Sequence, residues 1–120
     1  MTLHASCHCG AVQITVTRPP SSVTSCNCSF CSKRGALWAY YPPAEVVVSR
    51  EDAKSVYAPR VVNQHHFCTR CGCTTYSITP DWSVGTPGDG DTRIAVNARL
   101  FDDFDLEAVR VKHLDGRTGW

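Results

Sequence analysis

The 120-residue sequence predicts an all-β fold of small antiparallel sheets gathered around metal sites, and three observations lead there. Short apolar runs alternate with polar residues at a period of two, the pattern of half-buried strands. No stretch holds a helical period for three turns. Eight cysteines fall into three tight clusters instead of scattering along the chain.

Val12, Ile14 and Val16 alternate with Gln13, Thr15 and Thr17, and Pro19-Pro20-Ser21-Ser22 ends that strand. Ala36 to Tyr41 is rich in aromatics and stops at Pro42-Pro43; Glu45 to Val48 then offers a β-branched run. Val61 to Phe67 and Thr74 to Thr79 flank a cysteine cluster like the arms of a hairpin. Asp81 to Asp91 is dense in Gly, Pro, Asp and Ser and reads as a loop. Arg93 to Asn97 reads as another strand. Residues 105–108 suggest one short helical turn before Val109 and Val111 resume alternation. No repeat or linker divides the chain, so residues 1–120 are expected to form a single domain.

Composition narrows the function classes. Apolar residues make up 42% and charged residues 19%, enough for an ordinary core. A net charge of +1 with no basic cluster argues against a nucleic-acid partner. The start of the chain lacks the basic and apolar segments of a signal peptide, and no apolar run approaches the roughly 20 residues of a membrane span. A cytoplasmic location with reduced thiols is therefore expected. Three cysteine pairs (Cys7 and Cys9, Cys26 and Cys28, Cys71 and Cys73) are separated by one residue, a spacing that strains a disulfide. Metal binding is the better use of them.

The clusters are Cys7-His8-Cys9-Gly10, Cys26-Asn27-Cys28-Ser29-Phe30-Cys31 and Cys68-Thr69-Arg70-Cys71-Gly72-Cys73. Zinc favours four tetrahedral ligands, thiolates above all in structural sites. Cys7, Cys9, Cys68 and Cys71 together make a complete four-thiolate site, closed to reactants. Cys26, Cys28 and Cys31 supply three thiolates within six residues and leave a fourth position open, as catalytic zinc sites do. Cys73 has two readings. It could close the second site, or it is a small buried hydrophobe at the start of a strand, which is the reading adopted.

Other polar residues carry weaker signals. His8 sits between two ligands and is expected to point away from the metal. His65 and His66 fall on opposite faces of a strand, and either could carry a proton or brace a thiolate. Lys33 and Arg34 follow the open site and could hold the carboxylates of a small acidic ligand. Trp38, Tyr40 and Tyr41 read as core.

With these clusters in place, the sequence resembles the glutathione-dependent formaldehyde-activating family, the centromere-protein-V/GFA domain. The matching features are Ser6-Cys7-His8-Cys9-Gly10-Ala11-Val12, Cys26 to Cys31, Phe67 to Gly72, Lys33 to Ala39, Val96-Asn97-Ala98-Arg99-Leu100 and Asp115-Gly116. Cys73 departs from the pattern, since many members carry threonine there. The resemblance implies a zinc-containing, Mss4-like fold with Cys7, Cys9, Cys68 and Cys71 on a structural zinc and Cys26, Cys28 and Cys31 on a catalytic one. It implies a carbon–sulfur lyase whose partner is glutathione or a glutathione–aldehyde adduct. Lys33, Arg34, Asn97 and Arg99 are candidate substrate contacts. A non-catalytic zinc module that binds a protein partner is the alternative.

Overall fold

The computed structural model describes residues 2–60, 62–88 and 90–119. Among the described residues, ten strands form two sheets. The smaller sheet holds β1 (Leu3–Ser6), β2 (Val12–Val16) and β5 (Val46–Glu51), all antiparallel, in the order β1-β2-β5. The larger sheet adds β3 (Ser22–Cys26), β4 (Trp38–Tyr41), β6 (Lys54–Tyr57), β7 (Gln64–Cys68), β8 (Thr74–Pro80), β9 (Thr92–Asn97) and β10 (Arg110–Leu114). Its order is β10-β3-β4-β9-β8-β7-β6. The pairing is antiparallel except where β10 runs parallel to β3, with Leu114 opposite Cys26. The all-β expectation holds, with one sheet larger and more mixed than the sequence implied.

The alternation read in residues 12–16 translates directly into burial. Val12, Ile14 and Val16 face inward and are at most 1% exposed, while Gln13 and Thr15 are half-buried. Full burial of such a side chain is worth roughly 1.5–3 kcal/mol. They pack in two places. Ile14 and Val16 join Leu3, Val23, Tyr41, Val96 and Phe101 in the main core between the sheets. Val12 instead joins Cys7, Ala11, Ala53 and Cys68, with Cys71 and Cys73 packed beside them. A second core made largely of thiols is one that a metal would consolidate.

Several expectations need adjusting. The hairpin around the third cluster forms, but its first strand begins at Gln64, and Val61 lies outside the described residues. The segment from Asp81 to Asp91 is a loop that contains a 3-10 turn over Trp82–Val84; Asp89 is outside the described residues. Residues 105–108 close a single turn through Ala108 N–H to the Asp105 carbonyl and make no helix. A helix does form where none was expected. Helix α1 (Ser29–Arg34) lies within and just after the second cluster, and a shorter α2 (Gly116–Gly119) follows β10.

Candidate metal centres and the cavity beside one of them

The first centre is assembled from two turns. Cys7 ends the β1 side of a hairpin, where Gly10 donates to the Cys7 carbonyl at 3.0 Å and adopts φ 80°. Cys68 ends β7, and Gly72 repeats the arrangement, donating to the Cys68 carbonyl at 2.9 Å with φ 81°. That left-handed backbone is strained for residues with a Cβ, which is the physical reason for glycine behind each knuckle. Thr69 N–H bonds the Ala53 carbonyl at 2.8 Å and ties the second turn to the bend between β5 and β6.

The sulfurs of Cys7, Cys9, Cys68 and Cys71 all lie within 4.8 Å of one another. Cys7 Sγ and Cys9 Sγ are 3.7 Å apart, and Cys9 Sγ and Cys68 Sγ 3.6 Å. A disulfide needs about 2.05 Å. Tetrahedral thiolate ligation with bonds of about 2.3 Å puts neighbouring sulfurs about 3.8 Å apart. The separations match a metal site and not a bridge. The acidities agree. Burial raises the Cys71 thiol, but the N–H groups of Cys73 and Cys9 and the neighbouring sulfurs outweigh it and bring it down to about 5. The Ala11 N–H lowers Cys9, yet desolvation and contacts with Cys68, Cys7 and Cys71 win and push it up to about 11. Four sulfurs this close cannot all be anionic without a cation among them.

The second centre sits at the end of β3 in the larger sheet. Cys26 is the last residue of the strand, and Cys28 is the N-cap of α1. The Cys28 sulfur accepts from the Cys31 N–H at 3.4 Å, which turns the chain so that Cys31 comes back beside it. Gly35 closes the helix in the left-handed region at φ 64°. The sulfurs of Cys26, Cys28 and Cys31 lie within 4.8 Å of one another. Each cysteine group could therefore hold a metal ion. Burial, joined by the charges of Cys28 and Cys26 and eased by the Trp38 N–H, pushes Cys31 up to about 12. Cys28 is lowered, because the N–H of Cys31 and the neighbouring thiols outweigh burial.

Cys73 does not close this second group. It packs against Cys7, Val12 and Cys68 around the first centre, where burial raises its thiol. Its carbonyl accepts from Cys68 N–H at 2.9 Å. The second centre has three sulfurs among the described residues, and it borders a cavity of about 210 Å³ lined in part by Ser25, Cys26, Cys31, Ser32, Leu37 and Arg99.

The remaining candidates separate by position. Arg99 reaches the cavity, its Nε donating to the Gly35 carbonyl at 2.6 Å. Asn97 does not. It is buried, with its Nδ2 donating to the Thr74 carbonyl at 2.9 Å and its Oδ1 accepting from Leu37 N–H and Arg99 N–H. Its amide is spent on scaffold. Arg34 lies over the Phe30 ring at 4.3 Å, on a side of α1 shared with Tyr57 and His65 rather than at the cavity. Lys33 is exposed and lines neither place. His65 stacks on Phe30 at 3.8 Å and bonds Ser77 Oγ at 2.7 Å. His66 is buried against the Tyr76 ring, and neither of its ring nitrogens has a partner among the described residues. His8 is exposed.

Two further residues act on the second centre without any sequence signal. Trp38 is buried as expected, but its indole N–H also donates to Cys31 Sγ at 3.3 Å. Asn27 is gripped by the end of the chain. Its N–H reaches the Leu114 carbonyl at 3.1 Å, Nδ2 reaches Asp115 Oδ1 at 2.9 Å, and Oδ1 accepts from Arg117 N–H at 2.9 Å.

Comparison with known proteins decides the family. The family model described as glutathione-dependent formaldehyde-activating enzyme matches residues 2–111. The chain belongs to that family. Among its relatives is a Halomonas elongata protein named "Putative glutathione-dependent formaldehyde-activating enzyme". It is 31% identical over 93 residues, 68% of this chain and 59% of its own length, so the match spans under two thirds of that relative. A solved structure of a Rhodobacter sphaeroides protein shares the fold at a TM-score of 0.71, with 25% identity over 91% of this chain and 99% of that one. Among the described residues, no helix is long and apolar enough to cross a membrane.

Proposed function

We propose that this GFA-family chain is a zinc-dependent carbon–sulfur lyase that joins formaldehyde to glutathione and releases it again. The observation that carries the reading is the unequal pair of centres: four sulfurs gathered at one, three at the other beside a cavity. Cys7, Cys9, Cys68 and Cys71 would hold a structural zinc, and Cys26, Cys28 and Cys31 a catalytic one. The sulfur spacing at the first centre and the all-thiol donor sets at both suit zinc. A zinc ion bound by the three thiolates would supply the positive charge that favours the thiolate form of an incoming thiol.

The protein's own groups prepare that position. The Cys31 N–H on Cys28 Sγ and the Trp38 N–H on Cys31 Sγ fix two ligands and draw charge from them. Asn27, held by Leu114, Asp115 and Arg117, keeps Cys26 and Cys28 at one separation. The cavity beside Cys26 and Cys31 takes the thiol substrate and limits its approach to one side. In the addition, the thiolate sulfur forms a bond to the aldehyde carbon. The carbonyl π pair moves to oxygen, and a proton from water completes the hemithioacetal. The reverse step breaks the same C–S bond.

The alternative, a non-catalytic zinc module for a protein partner, depended on Cys73 sealing the second centre. Its packing beside Cys7 and Cys68 withdraws that support. Exchange NMR of formaldehyde with glutathione tests the proposal. Adduct formation and breakdown should run faster with the protein than in buffer, and Cys28→Ser should remove the excess. Equal rates with and without protein would sink it.

A further inference from the structure

The cavity beside the second centre has a chemical bias that the cysteines do not explain. Apart from the thiols, Arg99 is its one charged side chain among the described residues, in company with Ser25, Asn27 and Ser32. No carboxylate lies within salt-bridge distance of Arg99 among the described residues. The guanidinium is nonetheless fixed in place, because its Nε is committed to the Gly35 carbonyl at 2.6 Å. Its terminal nitrogens have no protein partner among the described residues, while the Asn27 amide is already spent on Asp115 and Arg117. An arginine held by one edge with its other donors free is preorganised to take a carboxylate.

We propose that the cavity is a carboxylate-reading subsite, with Arg99 as the specificity-determining residue that selects acidic thiols over neutral ones. The inference rests on the thiol–aldehyde reading of the same site and names the part of the substrate that is recognised. Charge makes such a residue necessary. Three cysteine ligands leave the centre anionic even around a divalent ion, so an acidic thiol approaching it meets repulsion that a neutral thiol escapes. Arg99 reverses that preference. In glutathione the glutamyl carboxylate is neutralised by its own ammonium group, whereas the glycyl carboxylate has no internal partner. The glycyl carboxylate is therefore the one Arg99 would bind. Neither Lys33 nor Arg34 can share this task from its position, since neither lines the cavity.

The test uses two ligand pairs that differ only in that charge: glutathione with its glycine monoethyl ester, and 3-mercaptopropionate with its methyl ester. Calorimetric titration of the metal-loaded protein should show each acid binding about 10- to 100-fold more tightly than its ester. Arg99→Ala should lose that preference and bind the ester at least as tightly as the acid, Arg99→Lys should recover part of the preference, and Lys33→Ala should keep all of it. Steady-state assays should place the Arg99→Ala loss in KM, with kcat much less affected. If the wild type does not prefer acid over ester, or Arg99→Ala still prefers the acid, the inference is overturned. Discrimination in the mercaptopropionate pair without any binding of glutathione would uphold Arg99 and refute the glutathione reading. No binding of either acid would refute both.

Discussion

Replacing Asn27 with alanine should loosen the three-sulfur centre while leaving the four-sulfur centre alone. The side chain makes two hydrogen bonds, to Asp115 Oδ1 and from Arg117 N–H, both at 2.9 Å. The backbone bond from Asn27 N–H to the Leu114 carbonyl survives the change. A protein hydrogen bond is worth about 0.5–1.5 kcal/mol net, and one to a carboxylate more. Asn27 and Asp115 are both exposed, so solvent discounts that extra share. The loss is then about 1–2 kcal/mol, felt where β3 hands the chain to α1. Opening of the Cys26–Cys28 loop frees two of the three ligands, so release from this centre should accelerate about tenfold, 1.4 kcal/mol being one decade. Competition with a chromogenic chelator reads this as two phases, of which only the faster should change. Asp115→Asn, which keeps an acceptor, should fall between wild type and Asn27→Ala. Unchanged release, or equal acceleration of both phases, would refute the idea that the end of the chain braces this loop.

Other consequences follow from single contacts. Trp38→Phe keeps most of the buried surface but removes the N–H that meets Cys31 Sγ. The variant should fold, and its cobalt-substituted form should show a shifted sulfur-to-metal charge-transfer band; an unshifted band would mean that the contact has no electronic effect. His65 is held below its usual 6.5, by burial first and the nearby Arg34 charge second. Its neutral form is favoured in the folded state, so the unfolded chain takes up protons first as pH falls below about 6.5. Wild-type stability measured against His65→Gln should decline over that window and level off below the folded value. A flat difference from pH 7 to pH 5 would contradict it.

The sequence made the cysteine chemistry legible and left the support around it hidden. Thiol spacing survives translation into structure because Cys-x-x-Cys-Gly fixes a turn locally, as Gly72 does with its positive φ. The same is true of Val12, Ile14 and Val16, whose period of two maps straight onto burial. Helix α1 escaped notice because six residues hold under two turns, too few for a period to register. Strands β1, β3 and β6 are short, and Ser22-Val23-Thr24-Ser25 and Lys54-Ser55 are too polar to announce themselves. The parallel pairing of β10 with β3 joins residues more than 80 positions apart, and with it comes the hold of Leu114, Asp115 and Arg117 on Asn27. No local pattern encodes such a contact. Asn97 and Arg99 sit two apart in one motif, yet a strand end places one among backbone amides and the other at the cavity.

In the proposed function, four sulfurs close one centre and three leave the other open. X-ray absorption at the zinc edge measures this directly through the mean number of sulfurs per metal ion. With both centres filled, four and three sulfurs average to about 3.5, and saturating glutathione should raise the mean to about 4. Cys73→Ser should leave both values unchanged. A mean of four sulfurs before any thiol is added, falling in Cys73→Ser, would show that the second centre is sealed and contradict the account.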